Sequence, residues 1–263
     1  LLGTINVASE GASGGQLRLK SGAGVINNVG ADATNITADS IVLEGGNGSI
    51  GVLGSESVDE NRIYMDLRAG GIVTARSQGE IVLAEREGNF LVGTIFSQSS
   101  NVDLQALNGN IYDGLRNNFV NIEANDIILS ATGGSIGETG NDLELEARDA
   151  NDGLLRLDAS ANIYVREEGD MRIFEVVSTG NVGTFVRLTS EFNIFDAYTA
   201  ADPAMSKAVI EGYNIETISE SGVIGTAVRN MRIDTNGGVL DASAQFSFTL
   251  AVPFELNHQN PLL

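Results

Sequence analysis

The sequence NITADSIVLEGGNGSIG, at residues 35–51, decides the fold because the chain repeats it twice. The second copy reads NIEANDIILSATGGSIG at residues 121–137, and the third reads VIEGYNIETISESGVIG at residues 209–225. The copies begin 86 residues (121 − 35) and 88 residues (209 − 121) apart. Self-similarity at a fixed spacing is typical of repeat proteins, in which neighbouring units stack and share one continuous core.

The segments between these copies recur as well. Residues 70–85, GGIVTARSQGEIVLAE, align with DGLLRLDASANIYVRE at 152–167 and with GGVLDASAQFSFTLAV at 237–252. Residues 17–27 reappear as VDLQALNGNIYDG at 102–114 and as VRLTSEFNIFDA at 186–197. The chain therefore contains about three super-repeats of roughly 84 residues, and each is expected to hold about four strand–turn coils of around 20 residues.

The local pattern predicts strands with almost no helix. Leu17 and Leu19 alternate with Arg18 and Lys20, which is the period of a half-buried strand. Short strands separated by Gly, Asn, Asp and Ser favour an all-β, right-handed parallel β-helix (β-solenoid) of about twelve coils, since parallel crossovers are strongly right-handed. The predicted inward side chains include Leu17, Leu19, Ile26, Ile41, Leu43, Ile50 and Ile136.

The pattern also predicts the domain organisation. Residues 1–250 are expected to form a single shaft domain. Residues 197–208 are expected to form an insertion on its flank, because the third copy is about five residues longer there than the others. Residues 251–263 lose the pattern and contain Pro253 and Pro261, so they are expected to form a cap or a connecting tail. The chain begins without Met, as expected of a mature fragment of a longer protein.

The composition narrows the possible partners. The formal net charge is −20 and the only lysines are Lys20 and Lys207, so the chain is not expected to bind nucleic acid. The sequence has no run of eighteen apolar residues, so no membrane insertion as a helix is expected. It has no Cys, which rules out disulfide bonds and thiolate metal sites.

Residues with catalytic potential lack the arrangement that catalysis needs. The one histidine, His258, lies in the off-pattern tail, and the glycine-rich GGNGSIG at 45–51 lacks the aspartate of a calcium-binding repeat. Glu144 and Glu146 alternate with Leu143 and Leu145, which predicts an exposed outer face for the glutamates. No catalytic, cofactor-binding or metal-binding residues are predicted, and the chain is expected not to be an enzyme.

The phrases LEGGNGSIG, LSATGGSIG, LNGNIYDG and ASANIYVREEGD resemble repeats of filamentous-haemagglutinin-type large exoproteins. The resemblance covers roughly residues 17–250. It implies a right-handed parallel β-helix, secretion, and an extracellular or cell-surface location. It further implies structural and adhesive work, with a host or neighbouring cell surface, a glycan or a matrix as the partner.

The leading hypothesis is thus a structural or adhesive shaft segment of a large secreted bacterial surface protein. Two alternatives remain open: a self-assembling extracellular filament subunit, with self-association along the rod, and a carbohydrate-active β-helix enzyme. Contact with a partner is expected at the flank insertion, because binding residues concentrate on loops held by a rigid scaffold. The predicted contact residues are Tyr198, Asp202, Met205 and Lys207.

Overall fold

The computed structural model describes residues 4–7, 15–22, 26, 33–53, 61–68, 70–148, 153–198, 207–226 and 230–251. These residues form strands and turns and no helix, which confirms the all-β prediction. The strands are β1 (Ile5–Asn6), β2 (Gln16–Lys20), β3 (Ile36–Ala38), β4 (Ser40–Gly46), β5 (Ile63–Leu67), β6 (Ile72–Ser77), β7 (Ile81–Glu85), β8 (Phe90–Ser97), β9 (Val102–Ala106), β10 (Ile111–Asp113), β11 (Ile122–Ala124), β12 (Ile127–Ala131), β13 (Leu143–Ala147), β14 (Leu155–Ala159), β15 (Ile163–Glu167), β16 (Met171–Ser178), β17 (Phe185–Ser190), β18 (Ile194–Asp196), β19 (Ile210–Glu211), β20 (Asn214–Ser219), β21 (Val223–Ile224), β22 (Met231–Asp234), β23 (Leu240–Ala244), β24 (Ser247–Phe248) and β25 (Leu250–Ala251).

The strands form two parallel sheets, and the chain passes from one sheet to the other at almost every corner. The first sheet runs β1-β3-β5-β7-β9-β12-β14-β16-β18-β21-β24, with β19, β22 and β25 beside its last strands. The second sheet runs β2-β4-β6-β8-β11-β13-β15-β17-β20-β23, and β10 also pairs with β8. One strand from each sheet makes one coil, and successive coils stack as in a parallel β-helix.

Successive copies of the super-repeat occupy opposite sheets. The SIVLEGG strand β4 lies in the second sheet, its counterpart β12 in the first sheet, and the third counterpart β20 again in the second. Seven strand steps separate β4 from β12 along the two sheet paths, which is three and a half coils instead of the expected four. Each copy is therefore turned by about half a coil relative to the one before it.

The core consists of columns of aliphatic side chains that stack from coil to coil. Ile81, Val102, Ile127 and Leu155 are paired in register across four strands of the first sheet, and all are fully buried. Burying each such side chain stabilises the fold by about 1.5–3 kcal/mol. Ile26, Ile41, Leu43, Ile50 and Ile136 are buried as predicted, while Leu17 and Leu19 on β2 are partly buried against the same core.

Side chains at the corners form hydrogen bonds where the chain leaves the sheets. Ser77 and Ser97 end β6 and β8, and both hydroxyls donate to the carbonyl oxygen of Gly79, at 2.7 and 2.8 Å. Asn110 donates its amide Nδ2 to Asn89 Oδ1 at 2.8 Å and accepts from the Ser135 backbone N–H at 2.7 Å. The bonds to the Gly79 carbonyl oxygen and the Ser135 N–H give these backbone groups a partner at the turns.

Two glutamates are buried inside the stack at equivalent positions of the super-repeat. Glu85 ends β7 and Glu167 ends β15, and neither is accessible to solvent. The Glu85 carboxyl accepts the backbone N–H of Leu67 at 3.1 and 3.2 Å, and Glu167 Oε1 accepts that of Ala147 at 2.9 Å. Burial raises the pKa of Glu85 to about 8, so this carboxyl is protonated at neutral pH.

The prediction that Glu144 is exposed is wrong. The alternation of β13 is as expected, since Leu143 and Leu145 are fully buried, but Glu144 itself is only 4% exposed. It lies beside the base of the 114–121 loop, where the Asn121 side chain accepts the Glu144 backbone N–H at 3.1 Å. Burial, and then the nearby carboxylates of Asp113 and Asp142, raise the pKa of Glu144 to about 7. The end of a loop from the preceding coil lies against a face that the strand pattern alone predicts to be exposed.

Replacing Ile136 with Asp should remove a buried column side chain and place a charge in the core. We expect a loss of roughly 3–5 kcal/mol of unfolding free energy, measured by thermal or urea denaturation. Asp158→Ala, on the exposed face of β14, is the matched control and should stay within about 0.5 kcal/mol. Equal shifts for the two variants would contradict the register described here.

Replacing Glu85 with Gln should make the fold less sensitive to alkali. Because the folded pKa of about 8 exceeds the ordinary value of 4.5, the stability that the protonated Glu85 contributes is fully present below pH 4.5. It then falls as the pH rises to 8, by about 1.4 kcal/mol per pH unit for this one group. Melting midpoints measured from pH 4.5 to 8.5 should therefore show Glu85→Gln gaining on the parent as pH rises.

Asp158→Asn is the matched control for this pH series, because Asp158 is exposed on β14, three strands away from Glu85 along the first sheet. This control should follow the parent at every pH. A constant offset between Glu85→Gln and the parent would show that Glu85 is ionised in the folded state.

Candidate functional site at the 197–209 loop

The predicted insertion lengthens a loop that the fold already contains. The eight-residue strand β16 pairs along the same edge with two short strands, β18 and β19, and residues 197–209 connect those two strands. The equally long strand β8 pairs in the same way with β10 and β11, which residues 114–121 connect. Since β8 and β16 belong to different sheets, the described ends of the two loops lie on opposite sides of the stack.

A buried aspartate anchors each loop. Asp113 ends β10 and accepts three hydrogen bonds, from the backbone N–H groups of Leu115 and Asn117 and from Asn121 Nδ2, at 2.8–2.9 Å. Asp196 ends β18 at the equivalent position and is likewise 2% exposed. The recurring IYD and IFD tripeptides are the sequence signal for these anchors, which the sequence analysis missed.

Asp196 differs from Asp113 in having a cation as its main partner. Arg232, from β22, donates Nε to Asp196 Oδ2 at 2.6 Å and Nη2 to Oδ1 at 3.1 Å. The Tyr198 backbone N–H donates to Asp196 Oδ1 at 2.9 Å. Both members of this ion pair are nearly inaccessible to solvent, so they fix the start of the loop against the next coil.

An aromatic cluster covers the ion pair. The Tyr198 ring stacks on Phe174 with 5.1 Å between centroids, and the Arg232 guanidinium lies 5.0 Å from the centre of the Tyr198 ring. Arg156 lies 6.0 Å from the centre of Phe174. Tyr198 is partly buried against the core, so only part of its side chain is accessible at the start of the loop.

An exposed ion-pair network holds the other end of the loop. Lys207 Nζ lies 2.6 Å from Glu175 Oε1, and Arg156 Nη2 lies 3.0 Å from Glu175 Oε2. The hydrogen bond from Lys207 is the main cause that lowers the pKa of Glu175, and the same bond raises the pKa of Lys207. With its side chain 59% exposed, Lys207 still presents a positive charge on an acidic chain.

The structure thus brings Tyr198 and Lys207 to the two ends of one loop, and it joins them through Phe174, Arg156 and Glu175. Asp202 and Met205, the other two predicted contact residues, lie outside the described residues. Arg232 comes from a strand more than thirty residues further along, so no local pattern could have assigned it to this site.

The 114–121 loop has a surface of its own. Phe119 is 78% exposed and Leu115 is 44% exposed at its tip. The Arg116 guanidinium pairs with Glu138 beside them. Sequence analysis overlooked this loop because its length is the ordinary one, so nothing marked it as an insertion.

Several carboxylates of the outer faces are paired with arginines. Arg166 binds both oxygens of Glu220 at 2.7 Å, and Arg187 pairs with Asp142 beneath the ring of Tyr164. Across the described ranges, no group of three or more His, Asp or Glu side chains is placed to hold a metal ion. Within the same ranges, no helix is long and apolar enough to cross a membrane.

Comparison with known proteins gives no relative. No family model matches the chain, and neither a curated protein nor a solved structure matches it.

Replacing Asp196 with Ala should destabilise the fold strongly, because it leaves the buried Arg232 guanidinium without its carboxylate. We expect a loss of roughly 3–5 kcal/mol in denaturant unfolding. Asp113→Ala, which removes hydrogen bonds but unpairs no cation, should cost about 1–3 kcal/mol. The double variant Asp196→Ala/Arg232→Met should recover part of the loss. A double variant as unstable as the sum of its two single variants would show that the pair does not act as a unit.

Proposed function

We propose that this chain is a structural and adhesive shaft segment of a large secreted bacterial surface protein, without enzymatic activity. The observation that carries the proposal is the continuous parallel stack built from three copies of one super-repeat. In such a stack each coil contacts only its neighbours, so length can be added without redesigning the core. A shaft is the role for which that property matters most.

The surface chemistry supports the same role. A net charge of −20 keeps a β-rich rod from associating with itself through its sides. The two loops that interrupt the regular surface rest on buried anchors, Asp113 and Asp196, so they are held by a rigid scaffold. Partners on a cell surface, a glycan or a matrix would be recognised at these loops and not at the repeating corners.

A rod-like shape is the first testable consequence. The ten strands along the second sheet, stacked about 4.8 Å apart, give a length on the order of 45–50 Å. Small-angle scattering should give a constant cross-section and an elongated distance distribution that do not change with protein concentration. Growth of the longest dimension with concentration would favour a self-assembling filament subunit instead.

Adhesion is tested by shortening the 197–209 loop to the length of its counterpart. Deleting five residues within 199–206 leaves the described anchors at both ends in place, so the melting midpoint should stay close to the parent's. Binding to host cells or to immobilised glycans and matrix proteins should fall several-fold. Val182→Ser, which removes an apolar side chain that is 80% exposed at a different corner, is the matched control.

Undiminished binding by the shortened variant would remove this loop from the proposal. Release of reducing ends from any polysaccharide in the same binding panel would favour the carbohydrate-active enzyme instead.

A further inference from the structure

A surface cavity lies over the early coils of the second sheet, far from both loops in the chain. Its volume is about 380 Å³, within the range of roughly 300–1,000 Å³ that is usual for small-molecule sites. The lining residues are Lys20, Ser21, Gly22, Glu44, Gly46, Arg76, Ser77, Gln78 and Gln98. In a chain with 35 acidic and 15 basic residues, two cationic side chains facing one cavity are unusual.

The super-repeat shows that the fold does not need these cations. Lys20, Glu44 and Arg76 are paired in register on three neighbouring strands. The equivalent columns of the other two copies are Gln105, Ser130 and Asp158, and Thr189, Ile218 and Ser243. The same three positions accept neutral or acidic side chains where the strands are otherwise alike. The positive charge is therefore a property of this one place in the stack.

Arg76 is held in position but left free to bind. Its guanidinium lies 4.9 Å from the centre of the Phe96 ring, whose centre is also 5.4 Å from the Arg148 guanidinium. Arg18, Arg62 and most other arginines have carboxylate partners. In the described part of the chain, Arg76 has no carboxylate or carbonyl acceptor. Its planar set of N–H donors is thus oriented by an aromatic ring and available to a ligand.

The remaining lining groups are suited to hydroxyls. Glu44 Oε1 is 2.6 Å from Arg18 Nη2, and Glu44 Oε2 is 3.3 Å from Lys20 Nζ. The bond from Arg18 is the main cause that lowers the pKa of Glu44, so the group stays an ionised acceptor. The exposed side-chain amides of Gln78 and Gln98 can each donate and accept, and they make no hydrogen bond to another described side chain.

We propose that this cavity binds a carboxylated sugar, a hexuronate residue of an acidic polysaccharide. The guanidinium of Arg76 takes the carboxylate through two parallel hydrogen bonds, with Lys20 as a second positive charge. The side-chain amides of Gln78 and Gln98 donate to and accept from the sugar hydroxyls, while Glu44 holds Lys20 in place. A phosphate dianion fits less well than a single carboxylate, because it brings two negative charges next to Glu44. The site is separate from the 197–209 loop, and it stands or falls independently of the shaft role.

The test is calorimetric titration of the whole chain with α-1,4-trigalacturonate, using galactotriose as the neutral counterpart. We expect saturable binding of the acidic trisaccharide, which weakens between 50 and 500 mM NaCl, and no binding of the neutral one. Arg76→Gln should weaken binding at least tenfold. Arg86→Gln removes the same charge from another arginine held over an aromatic ring, 5.2 Å from the centre of Tyr64 and just after β7 of the first sheet, and should leave binding unchanged.

A second variant separates binding from folding. Lys20→Gln/Glu44→Ser/Arg76→Asp places the second copy's three residues in the first copy, so it should fold with an unchanged melting midpoint and lose the trisaccharide. Absence of saturable binding by the parent would overturn the proposal, as would equal binding of galactotriose or an Arg76→Gln variant that binds like the parent. Competition by inorganic sulfate at the same concentration would show a general anion site and would overturn the assignment to a sugar.

Discussion

Stacking of parallel strands at the backbone hydrogen-bond spacing of about 4.8 Å is the constraint on which the structure depends. In-register pairing places each inward side chain directly above its counterpart one coil away, so a column such as Ile81, Val102 and Ile127 has to be apolar throughout. The path between paired strands is much less restricted. The pairing of Ile63 with Leu83 spans 20 residues, whereas that of Val176 with Ile210 spans 34. Extra length is therefore confined to corners, where it becomes a loop.

Corners cost free energy because backbone N–H and C=O groups lose their sheet partners there while the chain remains packed against the core. The chain meets this cost with short polar side chains of fixed position: serines at strand ends, asparagines stacked between coils, and the aspartates at positions 113 and 196. Glu85 and Glu167 do the same from inside the stack, and burial keeps Glu85 protonated. Several polar residues inside this fold thus bind backbone groups at the turns.

Sequence reasoning succeeded where a property is local and repeated. The alternation along β4 and β13 gave the inward faces, and the repeated Ile-Gly corners gave the parallel stack. It failed where a neighbouring coil decides the outcome. Glu144 follows a strand pattern that marks it as exposed, yet Asn121 and the 114–121 loop beside it remove it from solvent.

The candidate site divides in the same way. The extra length after Asp196 was visible by aligning the copies, and Tyr198 and Lys207 do lie at the ends of that loop. The anchor Arg232 was not visible, because it joins the loop only through the pairing of coils.

The number of coils per super-repeat was also beyond reach, since a sequence period does not say how many strands fit within it. With 86 residues over three and a half coils, the average coil is about 25 residues long, which is more than the roughly 20 residues that the sequence pattern predicts.

Because each super-repeat contains three and a half coils, the stack has a symmetry that no single coil has. Copies of the super-repeat are related by an approximate two-fold screw axis, with a rise of about 17 Å for three and a half steps of 4.8 Å. A flat partner lying along one side of the rod therefore meets every second copy, about 34 Å apart, and a partner on the other side meets the copies in between. Neighbouring copies can diverge in their surface residues without ever presenting both versions to the same side.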